Sequence, residues 1–147
     1  MGLDMYLNKR TFVLSLAVMG DPVYRINGKD NPLDLKRVKY IVEEIGYWRK
    51  ANCIHAWFVN NCQNGTDDCR DAYVSEEDLK TLLELCKEVK AHPRKAKELL
   101  PTQSGFFFGS LSYEDDYKQD IEDTINILEK ALAEDMSNAE YSYHSSW

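Results

Sequence analysis

No apolar run in this chain approaches the roughly 18 residues that a membrane-spanning helix needs. The opening residues also lack the basic-then-apolar layout of a secretory leader. Glycine follows Met1 in "MGLDMY", but Tyr6 stands where a myristoylation motif takes Ser or Thr, so no lipid anchor is expected. The expected location is the cytoplasm, with no membrane partner. Basic charge is also short: 18 Lys and Arg stand against 25 Asp and Glu, a formal net charge of −7. A general nucleic-acid binder needs a basic surface to displace counterions from phosphates, so that function class is set aside. The acidic residues are spread along helices rather than blocked, which reads as a solvated surface.

Other signatures are missing. The four cysteines, Cys53, Cys62, Cys69 and Cys86, contain no CxxC spacing, and only His55 stands near one of them. A structural zinc site is therefore not expected, and in a cytoplasmic protein the thiols read as reduced. "GTDDCRDAY" offers Asp67, Asp68 and Asp71 as oxygen ligands, but the spacing is not that of an EF-hand loop, and a turn is the better reading. Ser104 lies in "QSGF" rather than a G-x-S-x-G elbow, and no Gly-Lys-Ser/Thr phosphate loop occurs. No cofactor is expected, and there is neither an internal repeat nor a linker.

What is present is a soluble globular composition, 44% apolar and 29% charged over 147 residues, enough for one domain with a proper core. That domain is expected over residues 1–136, with 137–147 as a flexible tail. The first thirty residues are β-rich: 11–19 and 23–27 read as a hairpin, with 5–8 as a third strand, and "NGKDNP" is a turn cluster closed by Pro32. From Asp34 the period looks helical, with Leu35, Val38, Ile41, Val42 and Ile45 at steps of three and four. A second helical stripe follows in Tyr47, Ala51, Ile54 and Phe58, and Asn64-Gly65 stops it. Ser75 opens a capping-box start to a helix carrying Leu79, Leu82, Leu83, Cys86 and Val89. "PRKAKELLP" reads as a short helix, "TQSGFFFGSLSY" as an extended segment with at least two of its phenylalanines buried. The last helix is expected over 115–133, with Tyr117, Ile121, Thr124, Ile125, Leu128 and Leu132 facing the core. The fold class is α+β: a small antiparallel β-hairpin or sheet packed on about four helices, helix-dominated.

One stretch concentrates chemistry. In "GYWRKANCIHAWFV" a helical period places Arg49, Asn52 and His55 in a slanting polar row beside Trp48, with Lys50 and Trp57 on the other shoulder. Arginine supplies a fork for phosphate or carboxylate, Asn and His supply edge contacts, and indole supplies a stacking surface. Gln103, Ser104 and Gly105 form a polar loop whose backbone N–H groups could cradle an anion. The expected ligand-binding set is thus Trp48, Arg49, Lys50, Asn52, His55, Gln103, Ser104 and Gly105. Each side chain also has a purely structural reading, as packing or as a satisfied half-buried group.

"MGLDMYL", "IVEEIGYWRKANCIHAWFV" and "LLPTQSGFFFGSLSY" resemble a family of small proteins, without a settled activity, carried by tailed phages and prophages. The resemblance runs from Met1 to about Leu132. It implies an accessory phage protein, and such proteins often counter host defence, some by sequestering nucleotide signals. Three functions stay open at this point. The first is a non-catalytic pocket that captures a small nucleotide-like ligand, in a homo-oligomer whose subunit boundary holds the pocket. The second is an enzyme on such a ligand, with His55 as general acid or base and Arg49 stabilising charge. The third is an acidic inhibitor of a host protein.

Overall fold

The computed structural model of the chain describes residues 2–15, 25–30, 34–105 and 107–147. In chain order the elements are strands β1 (Asp4–Phe12), β2 (Arg25–Ile26), β3 (Lys29–Asp30) and β4 (Tyr40–Arg49), then helix α1 (Asn52–Cys62) and strand β5 (Ala72–Val74). Helices α2 (Glu76–Ala91), α3 (Ala96–Leu99) and α4 (Asp115–Leu132) follow, and strand β6 (Ala139–Ser146) ends the series. β4, β1, β6 and β5 form an antiparallel sheet in that order, while β2 and β3 make a separate two-stranded hairpin. The fold is α+β, as the composition and periodicity lead one to expect.

One face of the sheet is covered by helices. Period-two alternation puts Leu3, Met5 and Leu7 on that face from β1 and its approach, and Tyr141, Tyr143 and Ser145 from β6. They meet Ile54 and Phe58 of α1, Leu79, Leu82 and Cys86 of α2, and Ile121, Ile125 and Leu128 of α4 in one buried cluster. Tyr143 lies flat on Phe58, with ring centroids 4.0 Å apart. Fully burying such a side chain contributes about 1.5–3 kcal/mol, so this layer carries the fold. α2 starts on the expected box: Ser75 Oγ accepts from Asp78 N–H, and the Asp78 carboxylate accepts from Ser75 N–H.

The segment from Asp34 is not a helix. After one 3₁₀ turn at Leu35–Arg37, capped by Asp34, the chain runs as edge strand β4 beside β1. The register slips between Leu7 and Asn8, so Ile45 is the extra residue of a bulge. That bulge breaks the period of two and leaves apolar residues at mixed spacing. The β-branched run Ile41-Val42 favours a strand. The strand and α4 pack closely at Gly46: a Cβ there would stand 2.5 Å from Ile127 Cγ2, so α4 rides directly on the strand.

The expected tail is also a correction. Residues 139–146 form β6, hydrogen-bonded between β1 and β5, because Tyr141, Tyr143 and Ser145 alternate into the core. The expected strand at 5–8 lies inside β1. Much of the expected 11–19/23–27 hairpin, and Pro32, fall outside the described residues. The Asn27-Gly28 turn instead joins β2 to β3, both residues at positive φ as a tight hairpin turn requires.

Candidate ligand-binding site

The chain leaves the sheet at Arg49 and enters α1 at Asn52, so only two residues make the corner. Lys50 takes φ +60, a left-handed conformation that non-glycine residues seldom adopt, while its N–H donates to the Leu3 carbonyl at 2.8 Å. This corner, rather than a helix face, positions the cations. Arg49 ends strand β4 more than half exposed, with Asp4 4.0 Å away. The Lys50 ammonium has no hydrogen-bond or ion partner among the described residues.

Asn52 is buried, and its amide is fully used. Its Nδ2 donates to the carbonyls of Phe108 and Ser110 at 3.0 and 2.9 Å, and its Oδ1 accepts the Gln103 N–H at 2.9 Å. Both donors and the acceptor therefore hold the loop between α3 and α4 against the start of α1. Inside that loop a Cβ on Gly105 would stand 2.5 Å from the Phe108 ring, so only glycine lets this ring fold underneath. Of the phenylalanines, Phe108 is buried and Phe107 is half exposed, while Phe106 lies outside the described residues.

A cavity lies on each side of the loop. The first, of about 400 Å³, is lined by Arg49, Lys50 and Asn52 from the corner, Thr102, Ser110 and Ser112 from the loop, and Asp116, Tyr117 and Asp120 from α4. Cations and carboxylates thus share one polar chamber. Burial, with Asp123 and Asp116 adding to it, pushes the Asp120 carboxyl up to about 7. Cys53 also lines this chamber, and burial pushes its thiol up to about 12, with the Asp120 charge adding to the effect. A thiol so placed stays protonated and is no nucleophile.

The second cavity, about 420 Å³, is lined by His55, Asp67, Gln103, Ser104, Gly105, Phe108 and Trp147 among others. His55 is only 1% exposed and both ring nitrogens are engaged: Nδ1 with the Tyr143 hydroxyl at 2.7 Å and Nε2 with Asp67 Oδ2 at 2.8 Å. Trp147 Nε1–H donates to the other Asp67 oxygen at 3.0 Å. The histidine therefore anchors Asp67 and the end of β6, with no nitrogen left for a ligand in this arrangement.

The eight residues singled out from the sequence thus separate. Arg49 and Lys50 reach the first cavity, and Asn52 serves as the clamp between the two. His55, Gln103, Ser104 and Gly105 line the second, where the Gln103 N–H is already taken by Asn52. Trp48 lines neither: as a strand residue it points into the core, and its indole N–H donates to Thr124 Oγ1 at 2.9 Å. Its row with Arg49, Asn52 and His55 required a helix starting at Tyr47, and the helix starts at Asn52. Asp116 and Asp120 were missed, because on α4 they read as ordinary solvent-facing acids. The signal was their spacing of four, one helical turn, on the side of Tyr117.

Among the described residues no group of three or more His, Cys, Asp or Glu side chains is placed to hold a metal ion. No helix there is long and apolar enough to cross a membrane. Comparisons with protein-family models, with curated proteins and with solved structures returned no match.

Proposed function

We propose that this protein binds a small phosphorylated, nucleotide-like ligand in the Arg49–Lys50 cavity and releases it unchanged. The observation that carries the reading is the charge arrangement: a loosely paired arginine and an unpaired lysine share a chamber with Asp116 and Asp120. The guanidinium fork and the ammonium take up phosphate oxygens. The carboxylates accept from a base N–H edge or a sugar hydroxyl, and Ser110 and Ser112 line the same chamber. A volume of about 400 Å³ is within the range of small-ligand pockets. The resemblance to phage accessory proteins adds a purpose, the sequestration of a nucleotide signal used in host defence.

Binding is favoured over catalysis because the chamber offers no activated nucleophile. Cys53 is held protonated, and His55 belongs to the other cavity with both nitrogens engaged. An enzymatic role in the same chamber would fall to Asp120, whose carboxyl titrates near neutral pH as a general acid or base does.

The test is capture and release. The purified protein is incubated with mono-, di- and cyclic nucleotides and ADP-ribose derivatives, filtered, heat-denatured, and both fractions are read by mass spectrometry. An intact compound released from the parent, but not from Arg49→Glu/Lys50→Glu, supports the reading. A product in place of the compound, abolished in Asp120→Asn, overturns the non-catalytic part. A pool recovered wholly unbound and unaltered overturns the reading altogether.

A further inference from the structure

Strand β4 is the edge of the four-stranded sheet, and no strand among the described residues pairs with its outer side. Residues 40–44 are exposed, with Tyr40 at 52%, Ile41 at 42% and Val42 at 59%. The backbone polarity of the edge follows from one contact. The Val13 N–H donates to the Lys39 carbonyl at 3.0 Å, so Lys39, Ile41 and Glu43 direct their backbone groups to β1. Alternation then turns the N–H and C=O of Tyr40, Val42 and Glu44 outward, where they have no partner among the described residues. Proteins commonly blunt such an edge with proline, charged side chains, a β-bulge or a very short strand. β4 has ten residues and no proline, and its charges, Glu43 and Glu44, and its bulge at Ile45 come only after the exposed apolar run of Tyr40, Ile41 and Val42.

We propose that β4 pairs antiparallel with the β4 of a second copy of this chain, joining the two sheets edge to edge about a two-fold axis at Ile41. Outward groups must meet outward groups, so the axis passes through a residue, and charge selects which one. With Ile41 opposite Ile41, Tyr40 faces Val42, and Lys39 faces Glu43 twice over. Neither Lys39 nor Glu43 has an ion partner within its own chain among the described residues. An axis at Val42 sets Tyr40 against Glu44 and leaves those charges unmatched, and an axis at Glu43 opposes like charges, which destabilises a sheet. The same surface patch serves both copies, as a two-fold interface requires. The strand pairing buries a modest area, so the dimer is reversible and concentration-dependent.

The register makes the proposal specific. Ile41 occupies a non-hydrogen-bonded pair, in which facing Cα atoms lie about 4.5 Å apart, within disulfide reach. Sedimentation of the ligand-free protein is expected to show a monomer–dimer equilibrium. Under mild oxidation Ile41→Cys is expected to run as a covalent dimer, while Glu43→Cys and the parent do not. Val42→Pro is expected to remain folded by circular dichroism, since the lost N–H points away from β1, and to be monomeric. Lys39→Glu is expected to weaken dimerisation, and adding Glu43→Lys to restore it. A parent that stays monomeric at every attainable concentration, or a dimer indifferent to Val42→Pro, overturns the proposal. No ligand enters these measurements, so their failure leaves the Arg49–Lys50 reading untouched.

Discussion

Asn52 Oδ1 accepts the backbone N–H of Gln103 at 2.9 Å, and through this bond the first residue of α1 holds the loop that parts the two cavities. The same side chain donates twice, to Phe108 and Ser110. Each buried hydrogen bond of this kind contributes about 1 kcal/mol net, so Asn52→Ala is expected to cost about 2–3 kcal/mol in denaturant unfolding. Asn52→Asp keeps the acceptor and loses both donations, so it is expected to fall short of the parent as well. Amide exchange at Gln103 should accelerate in Asn52→Ala but stay slow in Asn52→Asp.

Asp120 sets a pH dependence. Its carboxyl titrates at 3.8 ordinarily and near 7 in the folded protein, where burial is the main cause. Between those values the folded state holds a proton that the unfolded chain has lost, so this group's contribution to stability falls as pH rises through that window. Above it the cost stays constant. Asp120→Asn is expected to gain on the order of 1 kcal/mol at about pH 8, the shift being discounted for the group's partial exposure, and little at about pH 3.5. Thermal melts of both proteins across that range check the sign.

Lys50 sits at φ +60, in a region where a side chain costs about 1–2 kcal/mol and glycine fits without strain. Lys50→Gly is expected to raise stability by about 0.5 kcal/mol, the relief being partly offset by glycine's larger unfolded-state entropy. The same change is expected to weaken ligand binding about tenfold or more, since a charge-assisted hydrogen bond is lost. Stability and affinity measured on one preparation should therefore move in opposite directions.

Gly46 and Ile127 form a contact that tolerates no added atom. A Cβ 2.5 Å from Ile127 Cγ2 forces α4 off the strand, so Gly46→Ala is expected to destabilise by about 1–3 kcal/mol. Gly46→Ala combined with Ile127→Ala is expected to recover part of that loss, which a double-mutant cycle measures as coupling.

Helical periodicity located α2 and α4 well because their apolar faces are broad: Leu79, Leu82, Cys86 and Val89, then Tyr117, Ile121, Thr124, Ile125 and Leu128, are all buried. It failed where strands carry irregular spacing. The bulge at Ile45 gave β4 steps of three and four, and that same error extended α1 back to Tyr47, drawing Trp48 into a polar row it does not join. β6 was missed although Tyr141, Tyr143 and Ser145 alternate, because Ser and His diluted its apolar signal. At the site the cations were legible as unusual residues in an unusual string. That Asn52 and His55 are fully satisfied was not, since their partners Phe108, Ser110, Tyr143 and Asp67 are brought to them only by the fold.

The most direct test of the ligand site is a map of backbone amide shifts in the ¹⁵N-labelled protein as nucleotides from the capture pool are titrated in. The account predicts saturable shifts at Lys50, Gly109, Ser110, Ser112 and Asp120, all lining the first cavity. Shifts confined to Gly65, Asp67, Ser104 and Trp147, or a spectrum that no nucleotide perturbs, would contradict it.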